Sequence, residues 1–245
     1  MTGALARATI GPLLRGRFGT PYIYAPECES TQLLLLGSDL PEGAVAVTDH
    51  QTAGRGRLGR HWEEPAGTSV LCSVLLRPPL GRRLPELSLV AALAVAETIE
   101  AHASLDTQVK WPNDLLIESR KVAGTLGETR AAVVVTGIGI NVNQAEGQLP
   151  DAAASLRTLT GREHDRAALL ATLIAGLERR YDEWLVGGLA RFHRELNDRD
   201  FLRGRQVQVG GASGTAVGID HSGRLELDAG GERRFVQSGE AVLYE

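Results

Sequence analysis

Between Thr48 and Trp62 the chain reads TDHQTAGRGRLGRHW, fifteen positions that hold three arginines, two histidines and three glycines. Arg55, Arg57 and Arg60 supply planar, permanently charged forks suited to phosphate or carboxylate oxygens. Gly54, Gly56 and Gly59 let the backbone take turns closed to other residues and come close to a ligand. Such a loop can wrap an anion and order around it. GRGRLG also matches the dinucleotide fingerprint G-x-G-x-x-G, but that fingerprint opens a helix. Here Pro65 and Gly67 follow closely, and no acidic residue lies about twenty positions on. The stretch therefore reads as an arginine-bearing loop. Two other readings of it stay open, an RNA-facing Arg-Gly segment and a plain solvated loop.

Further on, Lys110-Trp111-Pro112-Asn113-Asp114 packs a cation, an aromatic plate, an amide and a carboxylate around a turn. Lys121 stands in RKVAG, and Gly137 and Gly139 precede Asn141 in GIGIN. Each has an ordinary reading too. Asn and Asp after Pro are turn residues, Lys121 is a solvated lysine, Ser30 is a helix cap and GIGIN is a strand end. Their joint occurrence in one order is what points to a site. A phosphate loop of the G-x-x-x-x-G-K-[ST] type, H-E-x-x-H, C-x-x-C and G-x-S-x-G are all missing, and the six histidines are scattered.

The elements that must hold these residues follow from pattern and punctuation. Residues 1–20 allow a short helical turn or two before Pro12, Tyr22–Tyr24 begins a strand, and Ser30 or Thr31 caps a short helix ended by Gly37. GAVAVT (43–48) and TSVLCSVLLR (68–77) read as strands, and Leu84–His102, apolar nearly all round, as a buried helix. QVKWPNDLLI (108–117) reads as strand, turn, strand. Arg120–Glu128 is glycine-punctuated without a clear element, and Ala131–Val142 is a strand. From Asp165 apolar residues recur at helical spacing for about 20 positions, up to Gly187-Gly188. After residue 200 five short alternating runs predict a small antiparallel barrel. The expected division is 1–200 and 201–245.

A composition of 43% hydrophobic and 23% charged residues is that of a globular chain, and a net charge of −4 gives no general attraction to nucleic acid or anionic membrane. Cationic character must therefore be local. Two cysteines are too few for a disulfide framework, and neither a signal peptide nor a membrane-length apolar run is present, so a cytoplasmic protein is expected.

With these pieces assembled, the chain resembles the biotin–protein ligases. The matching stretches are QTAGRGRLGRHW (51–62), KWPND (110–114), RKVAG (120–124) and GIGIN (137–141), with Ser30-Thr31 ahead of them. The resemblance implies an α+β fold, with a mixed-sheet catalytic domain of the biotin/lipoate ligase type followed by a small SH3-like β-barrel. The relatives meant are acetyl-CoA-carboxylase biotin ligases of the short type. About thirty residues precede Ser30-Thr31, too few for a winged helix, so DNA binding is not implied. The family commonly has Asn after Ser-Thr, where this chain has Gln32.

The resemblance further implies ATP and biotin as substrates, Mg²⁺ as cofactor, and the biotin carboxyl carrier domain of acetyl-CoA carboxylase as acceptor. It implies no membrane partner and a monomer or weak homodimer. Lys121 and Arg57 are the implied catalytic residues. Biotin would be held by Ser30, Thr31, Gln32, Gln51, Gly54, Arg55, Gly56, Arg57, Lys121, Gly124, Gly137 and Gly139. The adenylate would meet Arg57, Arg60, Trp62, Asn113, Lys121 and Asn141, with Asp114 toward the metal. Gly54–Arg60 is expected to be mobile without ligand and to close over the intermediate. A lipoate or octanoate ligase of the same fold is the alternative enzyme.

Overall fold

The computed structural model describes residues 3–130 and 133–244. The first residues form a single turn, α1 (Arg7–Ile10), and a 3₁₀ turn over Gly11–Leu13. A seven-stranded sheet follows, in the order β1-β2-β3-β7-β6-β5-β4. Its strands are β1 (Tyr22–Cys28), β2 (Val45–Gln51), β3 (Ser69–Leu76), β4 (Gln108–Lys110), β5 (Asp114–Ile117), β6 (Arg120–Arg130) and β7 (Val133–Asn141). β1 and β2 run parallel, and the other pairs are antiparallel, so the sheet is mixed as expected. Ala131 and Ala132 of the expected strand lie outside the described residues.

β3 is buried along its whole length because both faces of the sheet are covered there. On one face lies α2 (Thr31–Leu35), capped by Ser30, over Ala44, Ala46, Leu75 and Val135. On the other lie α3 (Glu86–Ala103) and α5 (Arg166–Gly187). α3 is apolar over most of its surface because it is enclosed between α5 and the sheet, and its one acidic first-turn residue, Glu86, accepts from Trp184 Nε1 at 2.7 Å. α5 begins where Asp165 accepts from the N–H groups of Ala167 and Ala168, and ends at Gly188, whose φ is +63°.

Several elements went unread in the sequence, a later helix over His193–Asp198 among them. β6 is an eleven-residue strand where glycines had concealed any pattern. α4 (Leu156–Thr160) is a one-turn helix with a full capping box between Ser155 and Thr158, closed by Gly161.

After α5, a 3₁₀ turn and α6 (His193–Asp198) lead to a five-stranded antiparallel sheet, ordered β11-β10-β9-β8-β12. Its strands are β8 (Gln206–Val209), β9 (Ala212–Ile219), β10 (Leu225–Asp228), β11 (Arg233–Val236) and β12 (Ala241–Leu243), each on one of the five alternating runs. The arrangement is consistent with the expected SH3-like fold. Buried apolar side chains run from α3 and α5 through Phe201 and Leu202 into Val207, Ile219 and Ala241 of this sheet. Residues 199–201 also cover the edge of β4, through Val109 N–H to Arg199 O (2.8 Å) and Phe201 N–H to Val109 O (3.0 Å).

Candidate active site

The arginine loop leaves the end of β2 and folds back on itself. Gly56 N–H donates to Arg60 O at 2.8 Å and Trp62 N–H to Gly54 O at 3.0 Å. A Cβ on Gly54 would stand 2.3 Å from Trp62 O, so only glycine permits this crossing. The tip turns through Leu58 and Gly59, with φ of +56° and +76°, a left-handed geometry that costs a leucine on the order of 1 kcal/mol. All three arginines turn to protein partners. Arg55 meets Glu128 of β6 at 2.8 Å, Arg57 donates to Asn113 Oδ1 at 3.4 Å, and Arg60 pairs with Glu240, just before β12.

Opposite the loop, β6 and β7 form a floor in which Gly124 and Gly139 face one another in register. The Trp62 ring lies across them, and a Cβ would come within 2.7 Å of it at Gly139 and 3.3 Å at Gly124. Its Nε1 is buried without a partner among the described residues. Lys121 Nζ sits 5.4 Å from the centre of that ring and 2.7 Å from Asp114 Oδ1. The turn carrying Asp114 is pinned from behind, where Asn113 Nδ2 donates to Thr125 O (2.8 Å) and Thr125 N–H to Asn113 O (2.9 Å).

Loop and floor line a cleft with an open mouth, a concave shape of the kind that takes small molecules. One end is neutral. There Thr31 N–H donates to Gln51 Oε1 at 2.9 Å, Thr31 Oγ1 lies 2.7 Å from Ser73 Oγ, and Gln32 packs on Gly137. The other end is charged. Arg57, Arg60, Lys110 and Lys121 line it against the carboxylates of Asp114 and Glu240. Burial holds the Arg57 guanidinium below its ordinary value despite the nearby Asp114 and Glu240. The hydrogen bond from Arg60 holds Glu240 below the usual carboxylate range, with Lys110 and Lys121 adding to the pull. Such a cavity suits a ligand with an uncharged polar head and an anionic tail.

Of the residues expected at the site, the structure brings most to this cavity: Thr31, Gln32, Gln51, Arg55, Gly56, Arg57, Arg60, Trp62, Asn113, Asp114, Lys121, Gly124, Gly137 and Gly139. Ser30, Gly54 and Asn141 are not part of its lining. Ser30 caps α2, and Gly54 makes the loop crossing. Asn141 is buried and donates to Ala154 O (3.2 Å), bracing the chain beside Lys121. Lys110, Thr125 and Glu240 also line the cavity, although sequence reasoning gave them no role. Lys110 lay in plain view inside KWPND. Nothing in the sequence joins Glu240 to Arg60.

The sequence and the fold both have counterparts among known proteins. Residues 25–144 match the biotin/lipoate A/B protein ligase family. The bifunctional ligase/repressor BirA of Bacillus spizizenii is 36% identical over 86% of this chain and 70% of its own length. The biotin–[acetyl-CoA-carboxylase] ligase of Mycobacterium tuberculosis is 36% identical over 84% of this chain and 80% of its own. The biotin protein ligase of Aquifex aeolicus, solved in complex with biotin and ATP, superposes with a TM-score of 0.82 at 30% identity, over 91% of this chain and 97% of that one. The chain belongs to the biotin/lipoate A/B protein ligase family. Its relatives over most of their length place it among the biotin protein ligases of that family.

Proposed function

We propose that this protein is an ATP-dependent biotin–protein ligase that forms biotinyl-5′-AMP and passes the biotinyl group to a lysine of the carrier domain of acetyl-CoA carboxylase. One observation carries the reading. A single cavity joins a neutral amide-lined end to an end with four cations, and Lys121 stands between the glycine floor and Asp114. A bicyclic urea would fit the first end, and an adenylate the second.

In the first step an oxygen of biotin's carboxylate bonds to the α-phosphorus of ATP, and the bond to the leaving pyrophosphate breaks. In the second, the acceptor ε-amine bonds to the acyl carbon, AMP leaves and the amine loses a proton. Both steps gather negative charge on oxygen, which fixed cations stabilise without reorganising. Lys121 would bridge the carboxylate and the α-phosphate, while Arg57 and Arg60 would hold the phosphates. Lys110 joins them on the same wall. Trp62 would cover the adenylate, with its indole N–H free to donate. Gly124, Gly137 and Gly139 would leave room for the bicycle. Ser30 and Asn141 would act through the backbone they brace. Closure of Gly54–Arg60 over the anhydride would exchange Glu128 and Glu240 for ligand anions and keep water off.

Among the described residues no three acidic, histidine or cysteine side chains gather to hold a metal. Asp114, with Glu240 across the same end, fits a Mg²⁺ brought in on the triphosphate, which one or two carboxylates suffice to hold. The metal would neutralise phosphate charge.

We also place the division between a catalytic domain and the C-terminal domain near residue 200, where the seven-stranded sheet gives way to the five-stranded one. A cytoplasmic monomer or weak homodimer without a DNA partner is part of the same proposal. Both cysteines are free thiols, in keeping with a reducing compartment. Titration of biotin, then of ATP with Mg²⁺, followed by mass spectrometry of the bound species, tests the reading. We expect a biotinyl-adenylate mass. An adenylate from lipoate alone would keep the fold and overturn the substrate.

A further inference from the structure

α6 meets the second sheet through Asn197 and His193, side chains one helical turn apart. Asn197 fixes the end of β9 with both atoms of its amide, donating to Ile219 O at 2.8 Å and accepting from Ile219 N–H at 3.0 Å. His193 stacks on His221, with ring centroids 3.9 Å apart and planes 24° from parallel. The first contact cannot titrate. The second can, since an imidazole gains its charge near neutral pH. His221 belongs to a turn that is closed on itself. Asp220 accepts from the N–H groups of Ser222 and Arg224 and pairs with the Arg224 side chain, while Asp220 N–H donates to Arg224 O at 2.9 Å. Such a turn moves as a unit. Two residues beyond His221 stands Gly223, whose carbonyl accepts from Trp111 Nε1 at 2.9 Å. Trp111 lies between Lys110 and the Asn113–Asp114 turn, which line the charged end of the cavity. A line of contacts therefore runs from the stacked rings to that end, with Asn197 as its pivot.

We infer that His193 and His221 are positioning residues for the nucleotide end of the site: stacked and neutral they seat the 220–224 turn against Trp111, and charged together they part and slacken it. The inference rests on the ligase reading, which supplies the nucleotide. Burial holds the His193 imidazole below its ordinary value, the neighbouring His221 and Arg203 push the same way, and Asp220 opposes them. The Asp220 carboxylate is itself taken by Arg224. Arg194 and Asp198 pair with one another on α6, Glu195 pairs with Arg180, and Glu86, which packs beside Gly223 from α3, accepts from Trp184 Nε1. Each of these carboxylates is thus engaged, and two imidazolium rings here would repel one another. Unit charges about 4 Å apart repel enough, even at the dielectric of water, to shift an equilibrium about 5-fold. The neutral end of the cavity is bonded to β3, β6 and β7 and should not feel the change.

Two readouts test this from about pH 7.5 down to about 5.5. The Trp111 indole N–H signal is followed by NMR without substrate, and the KM values for ATP and for biotin by pyrophosphate release. In the wild type the Trp111 signal should titrate, and the KM for ATP should rise about 5-fold as pH falls while that for biotin stays within about 2-fold. His193→Phe keeps an aromatic stack that cannot charge, and His221→Gln removes the outer ring. Both should flatten the two profiles, and ATP's own titration cancels in the ratio of variant to wild type. An ATP profile unaltered in His221→Gln would overturn the proposal. So would a Trp111 signal that stays still in the wild type, or an equal rise of both KM values with acid, the mark of general loosening. His221 is exposed, so its variant keeps the test open should His193→Phe fail to fold. No pyrophosphate from wild type with biotin at any pH would instead remove the ligase reading, and with it the claim on the nucleotide.

Discussion

At the Thr31–Gln32 end of the cavity both residues are 3% exposed, with Thr31 bonded to Ser73 and Gln32 to backbone carbonyls, whereas at the other end the paired Arg60 and Glu240 side chains are 63% and 39% exposed. The first end is set before any ligand arrives. The second is held by ion pairs between partly exposed side chains, whose cations are within reach of an incoming phosphate. Recognition of a neutral head benefits from rigidity, because a misplaced amide cannot be screened. An anionic tail tolerates flexible partners, because charge acts over distance and salt can screen it.

This contrast can be broken by substitution. The largest effect should come from Lys121→Gln, which removes the cation between the two ends. We expect kcat for adenylate formation to fall about 10²–10³-fold with biotin affinity changed much less, as read by stopped-flow pyrophosphate release and calorimetry. Next come crossed substitutions, Thr31→Val at the neutral end and Arg60→Ala at the charged end. The first should weaken biotin about 10-fold and leave the KM for ATP alone, and the second should do the reverse. If both variants shift both constants, the ends are not separable.

Salt sharpens the same contrast without mutation. Between about 0.05 and 0.5 M, the KM for ATP should rise several-fold while biotin binding stays within about 2-fold. The smallest effect concerns Glu64, buried near Gln51 with no partner for either oxygen among the described residues. Burial pushes its carboxyl from 4.5 up to about 7. An acid raised in the folded state contributes stability that is present below its unfolded value and lost as pH rises through the folded one. The wild type should therefore lose on the order of 1–2 kcal/mol between pH 4.5 and about 7 from this group, and Glu64→Gln should flatten the slope in urea melts.

How legible all this was depended on the distance over which each residue acts. The capping Asp165, the buried α3 and the five C-terminal runs were readable because a cap, an apolar helix and an alternating strand are local statements. β6 was not, because Gly124 and Gly127 lower strand propensity and only pairing with β7 restores it. The arginine loop announced its chemistry, but not that Arg55 and Arg60 would be occupied by Glu128 and Glu240. Those carboxylates stand far along the chain and reach the site only through sheet topology. Gln32 was visible as an amide, and its orientation was not, since Leu126 and Val135 fix it from two strands.

Trp111 of KWPND is buried, and its Nε1 donates to Gly223 O, in the turn between β9 and β10, at 2.9 Å. The motif's indole is thus a tie rod between the site and the second sheet, while Glu240 closes the cavity from that same sheet. A screen for variants that need more ATP should therefore recover lesions near residues 223 and 240 alongside those in the arginine loop. Grafting the last forty or so residues from a distant relative should register first as a nucleotide defect, before any loss of folding.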